Sequence, residues 1–128
     1  GHGPVNYMKW ISDESDVSYP IEYKFKFEPY VIGATNSIPL FYDFFRGYGL
    51  NKMSWLSELH LAGYKYEVLK DYSVFHANHA SSYNENKKRG QIGQNVRCSK
   101  DFVDHLVDTY GNVSDDIMMT WQKPYSFG

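Results

Sequence analysis

Eight residues near the start of the chain alternate without a fault: Ile21-Glu22-Tyr23-Lys24-Phe25-Lys26-Phe27-Glu28. Period two predicts a half-buried strand with Ile21, Tyr23, Phe25 and Phe27 facing inward. Pro29, which has no N–H for a ladder, interrupts it, and Tyr30–Ile32 reads as a second short strand. Residues 1–20 are polar and turn-rich, with an acidic run at Ser12–Asp16. Residues 34–49 read as a loop, with Pro39, four aromatics (Phe41, Tyr42, Phe44, Phe45) and then Gly47-Tyr48-Gly49. A helix is expected from about Asn51, because Leu50, Met53, Leu56, Leu59 and Leu61 recur at roughly helical spacing, and Gly63 suits its end. Two short strands are expected next, Tyr64–Leu69 and Tyr72–His76, joined by a turn at Lys70-Asp71. Residues 81–95 are polar, and the basic triplet Lys87-Lys88-Arg89 among them reads as solvated surface. A second helix is expected over Ser99–Tyr110, with Ser99 as N-cap and Phe102, Val103, Leu106, Val107 and Tyr110 as its apolar stripe. Gly111 ends it, and 112–128 is expected to be a C-terminal tail.

The chain's 128 residues suit a single segment of one domain, and its 42% hydrophobic and 22% charged content is that of a globular chain. No apolar run approaches the ~20 residues of a membrane span. A formal net charge of −2 argues against a general nucleic-acid binder. The single cysteine, Cys98, excludes an internal disulfide and any multi-cysteine metal site. Aromatic residues make up 18% of the chain, either as core or as the lining of a site for a flat, hydroxylated ligand such as a sugar. There is no initiator Met and no leader pattern at Gly1–Pro4, so the expectation is a piece of a longer polypeptide. Asn112-Val113-Ser114 is a glycosylation sequon, compatible with a lumenal location.

Three stretches could carry chemistry. His76-Ala77-Asn78-His79 puts two histidines three apart after an expected strand, either sharing a metal or anion or standing as ordinary loop residues. Gly47-Tyr48-Gly49-Leu50-Asn51-Lys52 sets two glycines and a lysine at a helix start, where backbone N–H groups favour anions; the alternative is a plain turn. Asp115/Asp116 and Asp13/Glu14/Asp16 read as exposed loops. No G-x-S-x-G elbow and no P-loop occur.

The ordered set Phe27-Glu28-Pro29-Tyr30-Val31-Ile32, Phe45-Arg46-Gly47-Tyr48-Gly49-Leu50-Asn51-Lys52, Glu58-Leu59 with Tyr64–Leu69, and Val74-Phe75-His76-Ala77-Asn78-His79-Ala80-Ser81 resembles the C-terminal half of the catalytic domain of glycosyltransferase family 49. The resemblance runs from about Tyr19 to Gly111. It implies an α/β fold, part of a GT-A type domain of mixed short strands with two main helices. It implies transfer of glucuronic acid or a related sugar from a UDP donor to a glycan acceptor, with inversion, in the Golgi lumen. The implied cofactor is Mn²⁺. His76 matches the family's late metal-binding histidine, with His79 second. Gly47, Tyr48, Gly49, Asn51 and Lys52 would line the donor and acceptor region. The family's usual Asp falls opposite Tyr42 in an ungapped match, so either a one-residue gap makes the neighbouring Asp43 the candidate base or the base lies elsewhere. The family's Asp-x-Asp motif is not in this chain, and the resemblance places it upstream, beyond an N-terminal membrane anchor of a type II protein. The chain alone is therefore expected to be inactive. The alternatives are a glycan-binding remnant without catalysis and a structural domain without a ligand.

Overall fold

The computed structural model describes residues 3–12, 17–80 and 84–122. The chain order is a 3-10 turn at Gly3–Val5, α1 (Tyr7–Ile11), β1 (Ser18–Ile21), α2 (Asn51–Leu61), β2 (Tyr66–Leu69), α3 (Glu85–Tyr110) and α4 (Asp115–Gln122). The described fold is mixed α/β, with α2 and α3 as its two longest helices. Asp13–Asp16 of the acidic run, Ser81 of the histidine stretch, and Pro124 and Phe127 lie outside the described residues. No described helix is long and apolar enough to cross a membrane.

The alternating segment keeps its burial pattern and loses its ladder. Ile21, Tyr23 and Phe25 are half-buried and Phe27 is buried, while Glu22, Lys24, Lys26 and Glu28 are exposed. Only Ser18–Ile21 is strand. It pairs antiparallel with β2, with Ser18 opposite Leu69 and Ile21 opposite Tyr66. The ladder stops there because β2's own start is committed elsewhere: Gly63, at φ 87, closes α2, and Tyr64 N–H donates to Leu59 O at 3.1 Å. The chain then turns at Lys26 (φ 65), with Phe27 N–H donating to Lys24 O. Side chains hold this stretch instead: the Tyr23 ring stacks on His60 at 4.6 Å, and Phe25 meets Trp121 edge-on at 5.6 Å.

Neither Tyr30–Ile32 nor Tyr72–His76 forms a strand. Each is without regular structure, because β1 and β2 pair with each other and no further described strand flanks them.

The helix starting at Asn51 is as expected, and Leu50, Met53, Leu56 and Leu59 are its buried stripe. The other helix is longer than its apolar pattern. α3 begins at Glu85, capped by Asn84, whose side chain accepts from Asn86 N–H and Lys87 N–H. Ser99 is therefore a buried mid-helix residue, not a cap, and 85–95 is helix rather than loop. The apolar period fails there because the inward positions of that half are polar, Gln91 and Asn95. Val107 also departs from expectation, being exposed.

The expected tail folds as well. Asp115 and Asp116 occupy the first turn of α4, where carboxylates complement the helix dipole. Trp121 is fully buried. Its ring packs on Phe102 (4.8 Å), Phe25 and Phe45 (5.8 Å), joining α4 to the cluster of Phe45, Leu50, Met53, Phe102, Val103 and Leu106. Its Nε1–H donates to Ser57 Oγ at 3.1 Å. Trp121→Ala should therefore cost about 3–5 kcal/mol, read from urea unfolding, and Trp121→Phe distinctly less; equal losses would mean that the indole hydrogen bond, not the ring's volume, anchors α4.

Candidate functional site

The glycine turn at the start of α2 is shaped by helix α3. Gly47, Gly49 and Leu50 all have positive φ (70, 93 and 66°), and Leu50 caps α2 without a side-chain bond. Four hydrogen bonds join this turn to the buried Asn95. Its Oδ1 accepts from Arg46 N–H (3.1 Å), and its Nδ2 donates to Arg46 O (3.1 Å), Tyr48 O (3.2 Å) and Gly49 O (2.6 Å). One turn earlier on α3, Gln91 Oε1 accepts from Tyr48 N–H at 2.9 Å. Lys88 Nζ lies 5.3 Å from the centre of the exposed Tyr48 ring. Lys88, Gln91 and Asn95 are three and four apart, so they share one helix face. That polar spacing was the available signal for all three, obscured by their place in an otherwise hydrophilic run.

The structure thus gathers Gly47, Tyr48, Gly49, Asn51 and Lys52 into one turn. Asn51 Nδ2 donates back to Gly47 O (3.4 Å), and its Oδ1 accepts from Lys52 N–H (2.8 Å). Lys52 Nζ sits 4.8 Å from the Tyr30 ring, itself 67% exposed. Asp43 is exposed, and its main-chain carbonyl accepts from Arg46 Nε at 3.4 Å. Asn112 of the sequon is exposed just beyond α3. The surface near this turn carries further exposed rings, Phe41 and Phe44. Phe41 stacks on Trp55 at 4.7 Å, and Trp55 Nε1–H donates to Pro39 O at 2.7 Å, fastening the preceding loop to α2.

His76 and His79 lie side by side, with ring centres 5.3 Å apart and planes 29° from parallel. They stand on a stretch, 71–80, in which every residue is exposed. His79 Nδ1 is 3.0 Å from Ala80 O. Among the described residues no three His, Cys, Asp or Glu side chains cluster to hold a metal. The pair offers imidazole nitrogen alone, whereas manganese favours carboxylate, carbonyl and water oxygen. These two residues alone are an incomplete set for Mn²⁺, which would need oxygen donors beside them.

A second polar centre went unread in the sequence. Glu58, 4% exposed, accepts at Oε1 from His105 Nε2 (2.9 Å) and from Tyr110 OH (3.1 Å). A carboxylate can only accept, so Nε2 carries the proton. Glu58 Oε2 is buried without a hydrogen-bond partner. Burial first, and the Glu58 charge second, push the Tyr110 phenol up from 10.0 to about 12.

With this geometry in view, the sequence of the chain can be set beside those of known proteins. The family described as glycosyl-transferase for dystroglycan matches residues 1–111. The chain is a member of that family, glycosyltransferase family 49. Beta-1,4-glucuronyltransferase 1 of Danio rerio is 39% identical over 79 residues, covering 57% of this chain and 18% of that protein. Glycosyltransferase-like protein gnt13 of Dictyostelium discoideum is 37% identical over 82 residues, covering 63% and 12%. Human xylosyl- and glucuronyltransferase LARGE1 is 34% identical over 89 residues, covering 70% and 11%. The aligned part of this chain thus spans less than a fifth of each of these relatives. No solved structure matches the chain.

Two measurements test the site's geometry. A Cβ at Gly47 would lie 2.7 Å from the Gln91 side chain, whereas one at Gly63 (φ 87) meets nothing within 4 Å. Gly63→Ala should cost only backbone strain, about 1–3 kcal/mol, and Gly47→Ala more. Adding Gln91→Ala to Gly47→Ala should recover the difference in thermal melts. The second concerns pH. A raised phenol pKa means that the folded state holds the proton more tightly. The resulting stability is complete below pH 10 and is lost as pH rises toward about 12. Tyr110→Phe should flatten part of the alkaline fall in unfolding free energy between pH 10 and 12. Tyr23, Tyr42 and Tyr66, raised chiefly by burial, should maintain the rest. An unchanged slope in Tyr110→Phe would remove Tyr110 from that balance.

Proposed function

We infer that this chain forms the acceptor-side part of a GT-A type transferase that moves a sugar, glucuronic acid first among candidates, from a UDP donor to a glycan. The observation that carries this reading is the Arg46–Lys52 turn. It directs the start of α2 and a lysine toward one exposed surface, within the region that matches a sugar-transferring family. Backbone N–H groups at a helix start favour a diphosphate or uronate, and Lys52 adds positive charge at the same end. Asn51 is the group suited to sugar hydroxyls. Exposed Tyr30 and Tyr48 offer flat faces with polar tips.

The rest of the reading follows from the family. Transfer would invert the anomeric centre, with Asp43 as candidate base for the acceptor hydroxyl. The protein would work in the Golgi lumen, held by an anchor outside this chain, and with Mn²⁺. A divalent metal, when bound, neutralises charge on the departing diphosphate. His76 would be one ligand, with His79 beside it, and carboxylates from outside this chain would complete the set.

The test uses the protein as its gene encodes it, with UDP-glucuronic acid, UDP-xylose, Mn²⁺ and a panel of glycan acceptors. Sugar transfer that EDTA abolishes is the expected result. His76→Ala should reduce it at least about tenfold, with the fold intact by circular dichroism. Full manganese-dependent transfer by His76→Ala would remove His76 from the site. Glycan binding without transfer, unaffected by EDTA, would mean a lectin-like remnant in place of an enzyme.

A further inference from the structure

The geometry points to Asn95 as the positioning residue of the donor-side turn: a single buried amide in α3 sets the Arg46–Gly49 backbone in the shape that presents the start of α2 to the UDP-sugar. This rests on the functional reading above and extends it to a residue that touches no substrate.

Asn95 is 2% exposed. Its amide is used on both sides: Oδ1 accepts from Arg46 N–H, and the two Nδ2 protons are shared among the Arg46, Tyr48 and Gly49 carbonyls. No other side chain type reproduces this set. Asp keeps the acceptor but sets a second oxygen against three carbonyl oxygens. Leu keeps the volume and leaves four main-chain groups of the turn, Arg46 N–H and the Arg46, Tyr48 and Gly49 carbonyls, to find other partners. Gly47 and Gly49 reach the left-handed region without strain, but Leu50 occupies it as a non-glycine residue, and a clamp on the preceding backbone helps to hold it there. The non-glycine Leu50 adds strain at the position that precedes Asn51 and Lys52. Gln91 holds the same turn from the same face through Tyr48 N–H. Four bonds to Asn95 and one to Gln91 fix one shape among those that the two glycines allow. The side chains proposed to meet the donor, Asn51 and Lys52, begin where this clamp ends.

A role in positioning is separable from one in stability. KM does not depend on how much of a preparation is folded, whereas apparent kcat does. The comparison is Asn95→Asp and Asn95→Ala against Val103→Ala, a buried position on the same helix away from the turn. In the full-length protein, both Asn95 variants should raise KM for UDP-glucuronic acid at least fivefold. Val103→Ala should lower thermal stability and leave KM within twofold of wild type. Hydrogen exchange at the Arg46 amide should accelerate at least tenfold in Asn95→Ala and stay slow in Asn95→Asp, which retains the acceptor. If Asn95→Ala does not fold, Gln91→Ala gives the same reading through the Tyr48 amide. KM within twofold of wild type in the Asn95 variants would overturn the inference. A wild-type protein without transfer would overturn the functional reading instead. The clamp would then be judged by Arg46 exchange alone, with acceleration upholding it and no change refuting it.

Discussion

Ser57 Oγ is the point on which the packing of this chain turns. It lies on the buried face of α2, 2.7 Å from Tyr23 OH, 3.1 Å from Trp121 Nε1 and 3.0 Å from its own helix's Met53 O. A hydroxyl has one proton and two lone pairs. With the proton given to Met53 O, both lone pairs are filled, by the indole N–H and by the tyrosine, which must then donate. Three segments far apart in sequence are thereby fixed to one atom: the extended run after β1, α2, and α4. Burying an indole N–H or a phenol without a partner costs far more than the bond itself contributes, so each aromatic ring can enter the core only because this oxygen waits for it. The aromatic cluster of Phe25, Phe45, Phe102 and Trp121 then closes around an already satisfied polar centre.

Glu58, one residue further along α2, faces α3. A carboxylate at that depth persists because His105 and Tyr110 converge on one of its oxygens. Such an arrangement is weak evidence for stability and better evidence for geometry: it sets how α3 lies across α2. That relation matters for the site, because the turn at the start of α2 takes its shape from α3. The helix that completes the core and the helix that shapes the binding surface are the same one.

How much of this was legible depended on whether side chains or backbones did the joining. Apolar spacing located α2 to the residue, and the alternation at Ile21–Glu28 gave the correct inward side chains. The same alternation misled about the backbone, because burial by rings needs no ladder. α3 was half read: Phe102, Val103 and Leu106 announce it, but Gln91 and Asn95 bury polar atoms, and a hydrophobic period cannot register them. α4 was missed because eight residues carry one buried anchor, Trp121. At the site, the glycine spacing revealed the turn, and nothing in that turn revealed its clamp. Partners 46–49 residues apart leave no local trace.

That separation also orders events in time. During synthesis Arg46–Gly49 emerges first, and the amide that shapes it follows 46–49 residues later. At about 5–20 residues per second, the delay is roughly 2–10 s. Over that interval Leu50 has no clamp beside it to hold its left-handed backbone. The surface that would face a sugar nucleotide therefore takes its shape only once the first half of α3 has been made.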